Sequence, residues 1–363
     1  MSIFSRISAF LGRGDEDVLR VPPMDGVYKP NNLLDTTEHL LDLPAIDNLA
    51  ASPAGLYCSS GNSLFRIDLQ TKSATLVRQF DGPVTMTAAS PTGDVAVAVE
   101  ATGLKLIRAT GEQRQLDLPR EYTSCVNAGL FDGEDALLLA IGSRQHPISD
   151  WKRDLMSHGT TGELIRYAIS SGKTDVVQSG LAFPYGLAHT PDGAVAVAES
   201  WRHRIVAVAP GAAPRSLLGE LPAYPARLAP SSDGSYWLAL FAPRRQLTEL
   251  VLTEADYRME MMATIPPDAW IGPDFAESGN EEQPLQAGSV RQMGIIKPWA
   301  PSRSYGMVVR LDADLSPVAS YHSRADGKMH GIASVVEMDG FLYAASRGAG
   351  TLLRLDLSRG TRS

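Results

Sequence analysis

The chain reads as an all-β protein: a six-bladed β-propeller with a helical and loop-rich lid inserted in blade five and a smaller lid loop in blade three. Three observations predict it. Six times an apolar segment, a tight glycine turn and a second, alternating apolar segment follow one another, and a further apolar strand comes after each hairpin. The turn glycines, Gly55, Gly93, Gly133, Gly193, Gly234 and Gly340, recur at about forty residues with two longer intervals, and that period is the length of one four-stranded blade.

Residues 1–31 form an N-terminal extension. Its opening, "MSIFSRISAFLGRGDED", carries Ile3, Phe4, Ile7, Phe10 and Leu11 but no continuous apolar run before Arg13. It predicts a short amphipathic helix packed on the body, with no signal peptide or membrane span, and cytoplasm as the compartment. Residues 32–363 are expected to be a single propeller. "NLLDTTEHLLDL", residues 32–43, is expected to supply the outer strand of the final blade, closing the ring and removing its exposed edges.

Third strands follow the hairpins as "SLFRIDL", "LKLIRA", "ELIRYAI", "RIVAVA", "GMVVRLD" and "TLLRLDL"; fourth strands such as "ATLVRQF" and "PVASYHS" are weaker. The two long intervals hold insertions at about 142–162 and 241–304, each between strands two and three. Both must emerge on the rim where the innermost strands begin. In the larger one, Leu247, Leu250, Val251, Ala255 and Met259 sit near helical spacing, with a break near Thr253, before a Gly- and Pro-containing tail. Long loops on one rim predict a lid over the channel mouth.

The same rim collects Asp47, Thr85, Asn127, Tyr185, Arg227 and His330 from the starts of the innermost strands, and Glu100, Glu199, Trp201, Arg202 and Arg347 from the loops after strand two. Trp151 and His146 lie on the smaller insertion. Such a mixed-charge, aromatic mouth predicts a small-molecule site. A net charge of −8 with no basic stripe argues against nucleic acid. The two cysteines, Cys58 and Cys125, sit in apolar strands and read as buried thiols. His146, Asp150, Asp154 and His158 recur every fourth residue, a spacing that suits zinc on a helix, but Pro147 interrupts it, and a salt-bridged segment anchored by Trp151 is expected instead. No phosphate-binding loop, dinucleotide fingerprint or nucleophile elbow occurs.

"TGELIRYAISSGKTDVVQSGLAFPYGLAHTPDGAVAVAESWRHRIVAV", "LPAYPARLAPSSDGSYWLALF" and "VVEMDGFLYAASRGAGTLLRLDL" resemble the strictosidine-synthase-like and gluconolactonase/regucalcin-type six-bladed propellers, a superfamily that includes paraoxonase-like enzymes; the likeness spans about residues 40–358. It implies small-molecule chemistry at the channel. Its hydrolytic members hold a divalent cation, often calcium, through Glu, Asn, Asn and Asp, and these positions fall here on Asp47, Asn127, Tyr185 and the "PAR" of Ala226–Arg227. A guanidinium offers no lone pair and repels a cation, so no cofactor is expected; Asp47 and Asn127 are the ligands if calcium is retained. The last-blade glutamate of strictosidine synthases has no counterpart in "HGIASVV".

The expected function is therefore a lactonase-like hydrolase of a small polar substrate. Asp47 or His330 serves as general base, Tyr185 and Arg227 stabilise an oxyanion, and Arg347 holds a carboxylate. Asn127, Glu100, Glu199, Trp201, Arg202, Trp151 and His146 complete the substrate site. A metal-independent lyase, isomerase or condensing enzyme, and a non-catalytic binding protein, stay open as alternatives.

Overall fold

A computed structural model of the chain describes residues 21–277, 291–292 and 295–359; the expected N-terminal helix lies outside them. Among the described residues, six four-stranded antiparallel sheets stand around an axis. Blade one runs through Ile46–Ser52, Gly55–Ser60, Ser63–Asp68 and Ser73–Gln79, and the next four blades repeat this order from the axis outward. In blades two and three the second strands, Val95–Val99 and Ala136–Ile141, are short runs of small and branched apolar residues buried along their whole length, because both faces of each blade are covered by neighbours. Between blades three and four, for example, Leu138 and Leu164 meet Leu187 and Val197.

The ring closes as the sequence predicts. Glu38–Asp42 pairs antiparallel with Thr351–Asp356, so the outermost strand of blade six comes from the start of the propeller. Arg354 binds both Glu38 carboxylate oxygens, at 2.9 and 3.0 Å, and Thr351 donates to Asp42 at 2.8 Å.

The insertions leave from the same end of blades three and five. The smaller contains a helix at Trp151–Met156. The larger begins after Pro243, slightly later than expected, and holds helices at Gln246–Thr253 and Ala255–Thr264 with the predicted break at Glu254. Val251 of the predicted stripe is buried, but the rest of the inward face differs: Leu252 and Met261 are buried, whereas Met259 is 59% exposed.

Candidate functional site

Every innermost strand loses register near its start, at Asp47/Ala50, Val84/Met86, Val126/Ala128, Pro184/Gly186, Pro225/Leu228 and Ile332/Ser334. Such bulges take a residue out of the ladder and re-aim it. Six of them bring side chains or carbonyls from every blade to one hub, where Arg227 of blade five meets the other five. Its Nη1 donates to Asp47 Oδ1 at 2.6 Å and Ala333 O at 3.4 Å; its Nη2 donates to Thr85 O at 3.1 Å, Asn127 O at 2.9 Å and Asn48 Oδ1. The sixth contact is the Tyr185 ring, 4.9 Å from the guanidinium carbon. Close approach of blades four and five explains the glycine after that tyrosine: a Cβ on Gly186 would overlap Ala226 O. Asn48 adopts a left-handed φ of +56°, tolerable for asparagine, and is pinned by Ser59 Oγ at 2.8 Å and Val84 O at 3.2 Å.

A divalent cation does not fit this hub. Its converging oxygens already coordinate a guanidinium, and no group of three or more His, Cys, Asp or Glu side chains suited to a metal occurs among the described residues. Asn127 is fully buried with its side chain turned to Pro184 O at 3.0 Å and to the Cys125 thiol at 3.5 Å, so only its main-chain oxygen serves the hub.

Asp47 Oδ2 faces Arg347 Nη1 at 3.3 Å. Burial is the largest influence on Arg347 and opposes its charge, but Asp47, Tyr185 and Asp274 together outweigh it and raise the pKa above the ordinary arginine value. Tyr185 is pushed the same way by burial first and by Asp47 second, so its hydroxyl stays protonated at neutral pH.

From Tyr185 and Arg347 an enclosed chamber runs outward, walled by Trp151, Phe183, Trp201, Phe241 and Phe275. Its free space is about 10 Å³, at the lower edge of what one water needs. Trp201 stacks on Phe183 at 4.3 Å, and Phe275 lies 5.0 Å from Phe241, 5.5 Å from Trp151 and 4.3 Å from the Arg347 guanidinium. The insertions meet over it: Lys152 pairs with Asp274 at 2.6 Å, and Arg153 lies over Trp270 at 5.2 Å. Asp154, buried beneath, accepts the Trp201 indole N–H at 2.8 Å through Oδ2 while Oδ1 has no partner, and desolvation raises its pKa above the ordinary carboxylate range.

Of the residues singled out from sequence, Asp47, Arg227, Tyr185 and Arg347 converge on the hub, and Trp151 and Trp201 on the chamber. Several expected roles require correction. His330 is occupied at both ring nitrogens, by Ser304 Oγ at 2.8 Å and Arg324 O at 2.7 Å, and faces a separate open groove beside Lys328. This does not suit a general base. Arg227 has its Nη groups committed to protein acceptors and is no free oxyanion donor. Glu199 is fully buried between Arg202 at 2.7 Å and Arg204 at 2.6 Å, so Glu199 and Arg202 clamp a loop rather than face a ligand. Glu100 accepts from Ser149 Oγ at 2.7 Å and fastens the smaller insertion. His146 is tied through its main-chain N–H to Ser143 Oγ at 3.1 Å, off the chamber lining. The sequence pattern did not disclose Asn48, Phe183, Phe241 and Phe275. Asn48 and Phe183 adjoin recognised positions; Phe275 lies in the aperiodic tail.

A strictosidine synthase family model matches residues 130–207. Two Arabidopsis thaliana proteins are similar: STRICTOSIDINE SYNTHASE-LIKE 10, 26% identical over 46% of this chain and 47% of that protein, and STRICTOSIDINE SYNTHASE-LIKE 1, 24% identical over 73% and 59%. The chain thus spans about half the length of these curated relatives. Among solved structures, a calcium-binding regucalcin from Agrobacterium tumefaciens has a TM-score of 0.57 at 13% identity, covering 88% of this chain and 92% of that one. A gluconolactonase from Xanthomonas campestris has a TM-score of 0.54 at 11% identity, covering 88% of each. At these identities the structural likeness shows the six-bladed fold alone, and the sequence matches bear out the strictosidine-synthase-like resemblance.

Proposed function

We propose that this strictosidine-synthase-like propeller is a lactonase-like hydrolase that works without a metal, on an apolar organic lactone or ester enclosed beneath a lid made by its two insertions. The observation that carries this reading is the aromatic chamber ending on Arg347 and Tyr185, with Asp47 behind Arg347 at 3.3 Å. Such walls favour an apolar substrate body over the small polar molecule expected from the rim residues, with its reactive carbonyl at the polar floor.

The Asp47 oxygen not held by Arg227 takes a proton from a water as the water oxygen adds to the carbonyl carbon. Arg347 and the neutral Tyr185 hydroxyl donate to the oxygen that gains charge. Collapse breaks the ester C–O bond, and the departing alkoxide recovers the proton from Asp47. Removing the phenol or the carboxylate removes interactions made in the transition state. Tyr185→Phe and Asp47→Asn are therefore expected to lower kcat about a hundredfold, while Trp151→Ala raises KM. The test is a pH-stat assay of wild type and variants on aryl and alkyl lactones and esters, with and without EDTA. Full turnover by Asp47→Asn, or loss of activity in EDTA, would sink the reading.

A binding protein without turnover is the second reading. It is favoured by the engagement of Asp47 with two guanidiniums and a main-chain amide. Bound but unconverted substrates across the whole panel would select it.

A further inference from the structure

Phe275 fills its own site. Its ring lies against the Arg347 guanidinium, with Trp151 and Phe241 against its edge and face, and almost no free volume remains beside it. The main chain behind it is seated on two glycines: a Cβ on Gly331 or Gly348 would overlap Phe275 O. The preceding residue is a carboxylate, Asp274, which caps the Phe275 N–H at 2.8 Å and is carried by the lid through Lys152 at 2.6 Å and Arg303 at 3.5 Å. The lid thus delivers an aromatic ring and an acid together to the neighbourhood of a guanidinium.

We infer that Asp274 and Phe275 stand in for the ligand in the closed form, and that the subsite they cover takes a planar aromatic carboxylate whose ring displaces that of Phe275 from Arg347. This rests on the chamber being the ligand site, but not on hydrolysis. Once the Asp274–Phe275 segment alone withdraws, Arg347 and the Arg227 behind it share the single carboxylate of Asp47, an excess of one positive charge beneath a site walled by the remaining aromatic rings. An anion is attracted there and a cation repelled, and a flat ring matches the slot left between Arg347, Trp151 and Phe241.

The experiment titrates the full-length protein with 2-naphthoate and, separately, with 2-naphthylmethylammonium, following the fluorescence of the chamber tryptophans. Wild type should bind the carboxylate weakly and the ammonium not at all. Lys152→Met cuts the tie to Asp274 but keeps an apolar stem against Trp151, and should tighten 2-naphthoate about fivefold. Phe275→Ala empties the slot and should tighten it about tenfold or more; adding Arg347→Gln should abolish the gain. Equal binding of the two probes, or affinities unchanged by Lys152→Met, overturns the inference. If Phe275→Ala does not fold, the Lys152→Met titration still decides between these outcomes. Carboxylate binding that follows the lid variants without any ester turnover discards the hydrolase reading alone. Ester turnover that 2-naphthoate fails to inhibit discards this inference alone.

Discussion

Arg227 acts at the scale of one residue as an ion that no chelator can remove. Five acceptors from blades one, two, three and six converge on it, and the Tyr185 ring of blade four covers it. Removing only one member of a buried charge pair leaves the other stranded, at a cost of about 3–5 kcal/mol. Arg227→Met leaves Asp47 with Arg347 alone and four further acceptors without their donor, and should lower stability by about that amount in urea unfolding. The Arg–Asp pairing itself followed from the sequence only in part: both residues could be placed on the rim, but a bulge shifts register without any change of composition. Nothing in "AIDNLA" or "YPARLA" announces which residue leaves the ladder, so Asn48 went unnoticed beside Asp47 and Arg227 was expected to face a ligand.

Among the elements, the lid is the one whose seating a single methyl group tests. Gly348 needs no left-handed backbone, so Gly348→Ala is tolerable to its own turn while its Cβ collides with Phe275 O. The variant should keep the propeller's thermal transition but admit chymotrypsin after Phe275, seen as a cleavage that wild type resists under native conditions. Blades were legible because hairpin glycines and alternating strands repeat locally. The two lid helices were legible for the same reason, but their inward face was not. Each helix sets its own rotation on either side of Glu254, so a stripe carried in one phase across the break selects Met259 and passes over Met261. Phe275 lacked even a period to betray it, being held by glycines from a distant part of the chain.

For the whole molecule, buried histidines set a lower limit on the pH range of stability. His322 is enclosed, bonded to Tyr305 Oη at 3.1 Å and Ser320 Oγ at 2.7 Å, and burial pushes its pKa down to about 4. The unfolded chain therefore binds a proton here that the native one refuses. Stability from this group is fully present above the ordinary histidine value, about 6.5, and is lost as pH falls from there through the folded pKa, by roughly 3 kcal/mol. His203, lowered well below its ordinary value by burial and then Arg244, acts in the same sense. Urea midpoints between pH 7 and 4 should fall accordingly, and His322→Gln should reduce the slope.

The strand Glu38–Asp42 finds its partner, Thr351–Asp356, only across almost the full sequence; Asp42 and Thr351 are 309 residues apart. On a translating ribosome this strand is among the first parts of the propeller to emerge, yet it stays unpaired until the last one has left the tunnel. Throughout that interval the growing chain exposes a ready edge for pairing with a neighbour. Glu38, His39 and Asp42 make that edge polar, which blunts it. The same clasp divides the finished chain into unequal risks: a nick in a surface loop between blades leaves both pieces tied together by the ring, whereas loss of the residues from Thr351 onward unfastens it.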